Sequence, residues 1–140
     1  FLLGTPDGIW AAEDSRCERA ALEGERVTAI APSPEPGVLY AATAGGRIYK
    51  SGDSGNRWDL QLEAGPDDKF MSLAVSPHPP HPVYAGTWPA KVFRTDGGGR
   101  WEHREAFQEI EHAKYWCFPP PPHKARVVSC AFHPEDPEIL

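Results

Sequence analysis

The chain has 140 residues with 14 basic and 20 acidic side chains, so its formal net charge is −6. The acidic residues are spread along the chain and no basic stripe is visible, which argues against nucleic acid as a partner. Membrane association is not expected either, because no apolar run approaches the length of a spanning helix and residues 1–3 are too short for the apolar region of a signal peptide.

Turns are frequent in this sequence, which has 16 prolines and 13 glycines among short apolar runs. This composition favours an all-β chain over a helical one. Cys17, Cys117 and Cys130 are too widely spaced for a Cys-x-x-Cys metal or redox pair. We expect Cys130 to pack as a small apolar residue. The cysteine pattern favours a reducing, cytoplasmic compartment.

The first 26 residues are predicted to form a degenerate repeat unit. Strands are expected near residues 1–5, 9–12 and 19–22. Asp14 precedes Asp53, the first aspartate of a clearer pattern, by 39 residues.

That clearer pattern occurs twice. The first Asp turn, residues 51–58, reads Ser-Gly-Asp-Ser-Gly-Asn-Arg-Trp, and the second Asp turn, residues 94–101, reads Arg-Thr-Asp-Gly-Gly-Gly-Arg-Trp. The aspartates of the two turns are 43 residues apart, as are their tryptophans. A fixed period in the forties, with about four short strands per unit, is typical of β-propellers.

Matching segments upstream of each turn extend the repeat. Residues 39–43 correspond to residues 83–87, whereas Ile48-Tyr49 corresponds to Val92-Phe93 one residue nearer its aspartate. A short Asp side chain can accept hydrogen bonds from turn amides, glycines permit positive φ, and a tryptophan offers a large apolar surface to a neighbouring sheet. The residues assigned this structural role are Ser51, Asp53, Gly55, Trp58, Asp96, Gly98 and Trp101.

The pattern resembles the Asp-box, or bacterial neuraminidase repeat, of sialidases, xyloglucan-cleaving hydrolases, sortilin-type receptors and photosystem-assembly-factor-like propellers. Arg94 departs from it, because a small hydroxyl residue usually stands two places before the aspartate. The resemblance is to uncharacterised bacterial members, sialidase-like or photosystem-assembly-factor-like. It implies one partial β-propeller domain of four-stranded antiparallel blades, with units near residues 1–26, 27–69 and 70–126 and a further unit beginning at 127–140.

About three blades make an open wedge, since closed propellers have roughly four to eight. We therefore expect the chain to be part of a longer protein; the alternative is a ring completed by a second copy of the chain. A final strand is predicted at residues 127–132, where the fourth unit begins.

The resemblance also implies that ligands bind on the rim opposite the Asp turns. An inserted segment, residues 107–124, lengthens the interval from Pro77 to Pro134 to 57 residues. Long loops in compact repeats are often functional. The candidate ligand-binding residues are His112, Tyr115, Trp116 and His123 in the insertion, and Trp88 and Lys91 in a shorter loop. The alternative is that Tyr115, Trp116 and Phe118 only cap the core, and that Trp88 only packs at an edge.

The leading functional prediction is a non-catalytic propeller scaffold that binds a protein or a small, carbohydrate-like ligand without a cofactor. The alternative is a glycoside hydrolase, sialidase-like or glucan-cleaving, with Glu109 and Glu111 as candidate carboxylates. The early Arg-Ile-Pro motif of sialidases is absent, because Tyr49 follows Arg47-Ile48.

No metal site is predicted. His78 and His81 lack an evident third ligand, and each Asp turn offers a single carboxylate. Asp67 and Asp68 are most simply interpreted as a solvated turn; a role as catalytic carboxylates is the alternative.

Overall fold

The computed structural model describes residues 1–14, 16–97 and 99–136, and in these ranges the chain is all-β, as predicted. Three antiparallel sheets follow one another along the chain. The first contains β1 (Leu2–Thr5), β2 (Gly8–Glu13) and β3 (Arg16–Ala21). The second contains β4 (Val27–Pro32), β5 (Leu39–Thr43), β6 (Arg47–Ser51) and β7 (Asp59–Glu63). The third contains β8 (Lys69–Val75), β9 (Val83–Trp88), β10 (Val92–Thr95) and β11 (Glu102–His103).

Each sheet is a simple meander in which every strand pairs with the strand that follows it in sequence. The second and third sheets share an irregularity, because the register shifts between Val27 and Ala29 on β4 and between Phe70 and Ser72 on β8. These positions are 43 residues apart, so the repeat seen in the sequence extends to a β-bulge in the first strand of both of these sheets.

The sheets contact one another through a small residue on one strand and a larger side chain that begins the next sheet. A Cβ added to Gly4 of β1 would lie 2.8 Å from Val27 Cγ1, at the start of β4. In the same way, Ala42 of β5 and Phe70 of β8 belong to one buried cluster. A larger residue at the position of Gly4 would overlap with its neighbour, so the close approach of the sheets depends on small side chains here.

The two Asp-turn tryptophans pack against clusters that join neighbouring sheets. Trp58 contacts the cluster of Ile9, Val27 and Ala41, which combines residues of the first and second sheets. Trp101 contacts the cluster that contains Phe70, between the second and third sheets. Each indole therefore buries apolar surface against the cluster shared with the preceding sheet, where large aromatic side chains contribute most to packing.

The predicted strand at residues 127–132 is wrong, because these residues form no strand. The Val127 amide donates to the Thr87 carbonyl (3.0 Å), and the Val127 carbonyl accepts from Ser72 Oγ (3.0 Å). A Cβ on Gly86 would lie 2.4 Å from Val127 Cγ1. The segment thus contacts β8 through Ser72 and β9 through Gly86 and Thr87, and it packs against the third sheet without joining it as a strand. Residues 137–140 of the predicted fourth unit lie outside the described residues.

The cysteines are free thiols. Cys17 and Cys117 are exposed, whereas Cys130 is partly buried, with its sulfur 3.9 Å from Ser72 Oγ. Burial raises the pKa of the Cys130 thiol above its usual value. This environment agrees with the expectation that Cys130 packs as a small apolar residue.

Candidate functional site

The first Asp turn is a closed hydrogen-bonded unit. Asp53 Oδ1 accepts the Arg57 amide (2.8 Å) and the Ser51 hydroxyl (2.9 Å), and Ser51 Oγ in turn accepts the Gly55 amide (2.9 Å). The Trp58 indole donates to the Gly55 carbonyl (2.9 Å). The hydrogen bond from the Arg57 amide, followed by that from the Ser51 hydroxyl, holds the pKa of Asp53 below its usual value. The Ser51, Asp53 and Trp58 side chains bond within the turn, which therefore has a structural role.

The second Asp turn uses a different residue for the same position. Thr95, and not Arg94, is buried at the end of its strand and pairs across the sheet with Val83, as Ser51 pairs with its partner on β5. Thr95 Oγ1 donates to the Gly99 carbonyl (3.2 Å), while the Arg94 guanidinium lies 2.5 Å from Asp96 Oδ1. In the sequence, Val92-Phe93 lies one residue nearer its aspartate than Ile48-Tyr49 does, and this offset indicates that Thr95 takes the position of Ser51. Gly98 lies outside the described residues.

At the opposite end of the strands, the second and third sheets each have an ion pair at an equivalent position. Arg47 Nη1 lies 2.7 Å from Glu25 Oε1 in the second sheet, and Lys91 Nζ lies 2.7 Å from Asp68 Oδ1 in the third. Glu25 and Asp68 are 43 residues apart, and Arg47 and Lys91 each precede a matching apolar residue. The sequence analysis assigned Lys91 to ligand binding, but its ammonium group is already paired with a carboxylate.

The interpretation of Asp68 as part of a solvated turn is wrong. Asp67 is exposed, as expected for a solvated turn, but Asp68 is only 8% exposed and accepts the Lys91 ammonium. Burial of a carboxylate is costly unless it is paired, and Lys91 supplies that pairing. The 43-residue spacing of Glu25 and Asp68 indicates that the two acidic residues occupy equivalent positions. That spacing predicts the pairing of Asp68 with Lys91 only if the pairing of Glu25 with Arg47 is recognised as well.

A larger polar network surrounds Glu25, and the sequence analysis did not predict it. Glu25 Oε1 accepts from both Arg47 (2.7 Å) and the Tyr49 hydroxyl (3.0 Å), and Arg47 Nε donates to Glu63 Oε1 (2.9 Å). Desolvation, followed by the hydrogen bond to Glu25, raises the pKa of Tyr49. The hydrogen bond from Arg47 to Glu25 is the main reason that the pKa of Arg47 lies above its usual value. The network ties the start of β4 to β6 and β7.

The predicted stacking platform at Trp88 is partly covered. Trp88 ends β9 and is half-buried, and the Lys69 ammonium lies 4.9 Å from its ring centroid. A cation over an indole face is a favourable contact that occupies the face a flat ligand would use.

The next residues in the chain lie closer to the insertion. The Ala90 amide donates to the Ala125 carbonyl (2.8 Å), and Gln108 Nε2 donates to the Ala90 carbonyl (3.5 Å). The insertion therefore folds back onto the loop after β9, which brings together two segments that the sequence analysis singled out separately.

A groove of about 420 Å³ lies between these two segments, and we call it the rim groove. Its most prominent side chains are Phe107 and Trp116, whose ring centroids are 5.4 Å apart. The residues that line it are Pro89, Ala90, Phe107, Gln108, Ala113, Lys114, Trp116, His123, Lys124 and Ala125. Two predicted ligand-binding residues, Trp116 and His123, thus lie on one groove.

The other predicted residues of the insertion lie around the rim groove but do not line it. Tyr115 lines an adjacent groove of about 590 Å³, which it shares with Trp116 and Arg126. His112 is exposed, with its ring centroid 6.4 Å from that of Tyr115. Glu109 and Glu111 are both exposed and line neither groove. The candidate carboxylates are therefore not gathered with the aromatic side chains.

A larger groove, of about 1060 Å³, lies at the Asp-turn end, between the first two sheets. Phe1 is the one aromatic residue among those that line it, together with charged residues such as Glu13, Asp14 and Arg16. It offers volume but little ring surface for stacking, so the rim groove is the better candidate for a specific site.

The histidines in the proline-rich turn after β8 both approach backbone carbonyls. His81 Nδ1 lies 3.0 Å from the Ser76 oxygen, and His78 Nε2 lies 3.4 Å from the His133 oxygen. Within the described ranges, no three histidine, cysteine, aspartate or glutamate side chains gather as a metal site would require.

Neither protein-family models nor curated proteins match this sequence. No helix among the described residues is long and apolar enough to cross a membrane.

Proposed function

We propose that this chain belongs to a β-propeller and acts as a non-catalytic scaffold that binds a small ligand or a protein segment in the rim groove. Support for the propeller comes from three successive antiparallel meanders that pack through equivalent positions. The repeated β-bulge and the repeated ion pair add to that support. Propeller units bury their faces only against neighbouring units, which agrees with the clusters shared between sheets.

The observation that carries the binding proposal is the exposed aromatic surface of the insertion. Trp116 remains 40% exposed and Tyr115 70% exposed, although Trp116 contacts the ring of Phe107. Aromatic rings left at a concave surface offer stacking area that a ligand can bury. An inserted loop that folds back on the sheet rim and presents such rings is better suited to recognition than to filling the core.

The arrangement favours binding over hydrolysis. Glycoside hydrolysis by paired carboxylates requires two carboxyl groups about 5–10 Å apart across the bound sugar. Glu109 and Glu111 lie outside the lining of the rim groove, and the buried Asp68 is engaged by Lys91. We therefore propose no catalytic role for these carboxylates. A cytoplasmic location is proposed on the basis of the free cysteines.

A fragment screen by ligand-observed NMR tests this function, with Trp116→Leu as the variant and Trp10→Leu as its matched control. Trp10 lies on β2, in the first sheet, and stacks with Arg19. We expect flat fragments to bind the parent chain and the Trp10→Leu variant but to lose binding to Trp116→Leu. Equal binding to all three proteins would contradict the proposal.

The same proteins are then assayed with aryl glycosides and sialosides. The scaffold proposal predicts no turnover. Turnover that is abolished by Glu109→Gln or Glu111→Gln, while the circular dichroism spectrum is unchanged, would overturn it in favour of a hydrolase.

A further inference from the structure

We propose that the rim groove selects small organic anions with a flat apolar body, such as aryl carboxylates. This inference rests on the proposed binding function, because it specifies the ligand class of the same groove. Three properties of the groove carry it: the sign of the charges that line it, the availability of those charges, and the apolar surface between them.

The charged lining of the rim groove is positive although the chain as a whole is acidic. Lys114 and Lys124 line the groove together with His123, and no aspartate or glutamate is among its lining residues. The whole chain carries 20 acidic and 14 basic residues. The groove therefore carries positive charge on a protein whose net charge is negative, so it attracts anions and disfavours cations.

Both lysines are available to a ligand. In the part of the chain that the structure describes, ion pairs engage Lys91 and three arginines, but neither Lys114 nor Lys124. The Lys114 ammonium lies 5.1 Å from the ring centroid of Tyr115, a contact that leaves its hydrogen-bond donors free for an oxygen anion. Lys91, by contrast, is neutralised by Asp68 nearby.

The surface between the charges is apolar and suits a flat ligand. Phe107 and Trp116 supply two aromatic rings, and the side chains of Pro89, Ala90 and Ala125 add smaller apolar surface. The groove volume of about 420 Å³ lies in the range of small-molecule sites, which span roughly 300–1,000 Å³. A ring can stack on the aromatic surface while its acidic group reaches a lysine ammonium.

A further cation lies on the adjacent groove that shares Trp116. The Arg126 guanidinium carbon is 3.7 Å from the ring centroid of Phe118. Trp116 thus lies between two grooves whose charged lining residues are basic. The exposed Glu109 and Glu111 lie on the same insertion, and their opposing influence is reduced by salt, which screens exposed charges over about 10 Å at 0.1 M.

Calorimetric titration of the 140-residue chain with three isosteric probes tests the inference: 2-naphthoate, 2-naphthalenemethanol and 2-naphthylmethylammonium. We expect the anion to bind about five- to tenfold more tightly than the alcohol and the cation to bind most weakly, since one exposed charge contact is worth roughly 1 kcal/mol. Raising the salt concentration should weaken binding of the anion and leave binding of the alcohol nearly unchanged.

Charge-removing variants assign the effect to the groove. Lys114→Gln and Lys124→Gln should each weaken 2-naphthoate binding about two- to fivefold, with little change for the alcohol. Arg100→Gln is the matched control, because it removes the same charge from an exposed residue of the second Asp turn.

The outcomes separate this inference from the function on which it rests. If the alcohol or the cation binds as tightly as the anion, or if both lysine variants bind 2-naphthoate like the parent chain, the anion preference is wrong while the aryl-binding groove stands. If none of the three naphthalenes binds, the proposed function fails together with the inference.

Discussion

Lys91 and Asp68 form an ion pair at the loop end of the third sheet, with 2.7 Å between Nζ and Oδ1. The pair repeats the contact that Arg47 and Glu25 make in the second sheet. The Asp68 side chain is 11% exposed and that of Lys91 34%, so the carboxylate depends on this lysine more than the lysine depends on it. The relationship makes Lys91 a structural residue of the rim.

Replacing Lys91 by Met should therefore destabilise the protein. The substitution keeps most of the aliphatic side chain but leaves a largely buried carboxylate unpaired, which we expect to lower the free energy of unfolding by about 1–2 kcal/mol. Urea denaturation followed by circular dichroism measures the effect. Lys124→Met, at an exposed lysine without an ion pair in the described residues, should change stability by less than about 0.5 kcal/mol. Equal stability of the two variants would show that the ion pair is not structural.

Enlarging Gly86 should disturb the contact between the third sheet and residues 125–132. A Cβ at this position would lie 2.4 Å from Val127 Cγ1 and 2.6 Å from Ser72 Oγ, so Gly86→Ala should cost about 1–3 kcal/mol through overpacking. The double variant with Val127→Gly, which removes both Val127 Cγ1 and the Val127 Cβ that would lie 2.6 Å from the added methyl, should recover part of that loss in a denaturation cycle. Gly99→Ala is the control, because nothing lies within 4 Å of the added Cβ. Additive effects in the cycle would mean that Gly86 and Val127 do not contact each other.

The repeat made most of the strand order predictable. The matched segments around the two Asp turns placed the strands of the second and third sheets, because turn residues and apolar alternation are local signals. The sequence predicts a strand at residues 127–132 because this apolar run ends in a segment, residues 132–134, that matches residues 75–77 at the end of β8. A strand needs a hydrogen-bonded partner strand, and none of the described strands pairs with this run.

The candidate site was predictable only in part. The insertion and the loop after β9 were both singled out, and the structure brings them together at Ala90 and Ala125. The partners of individual side chains were not predictable, because they depend on contacts between distant residues. Lys91 is paired with Asp68, Lys69 covers Trp88, and the lysines at positions 114 and 124 gained importance only once the groove was visible.

The Asp53 carboxylate should make the stability of the first Asp turn pH-dependent. Its pKa is lowered in the folded protein, chiefly by the Arg57 amide, so its contribution is present above the unfolded pKa of about 3.9 and is lost as the pH falls through the lower folded value. Asp53→Asn should reduce the acid-induced loss of stability that the parent chain shows in this pH window. Thermal denaturation between pH 7 and pH 2 measures it, with Asp67→Asn as the control at an exposed aspartate. Parallel pH profiles for the parent chain and Asp53→Asn would contradict the role of the ionised carboxylate.

Mapping where a ligand binds tests most directly whether the rim groove is the binding site. Titration of the isotopically labelled chain with 2-naphthoate, followed in a two-dimensional amide spectrum, reports the non-proline residues whose environment changes. The rim groove predicts the largest shifts at Ala90, the Trp116 indole and Lys124. Shifts centred instead on Asp14 and Ser54, in the larger groove at the Asp-turn end, would contradict the assignment of binding to the rim groove.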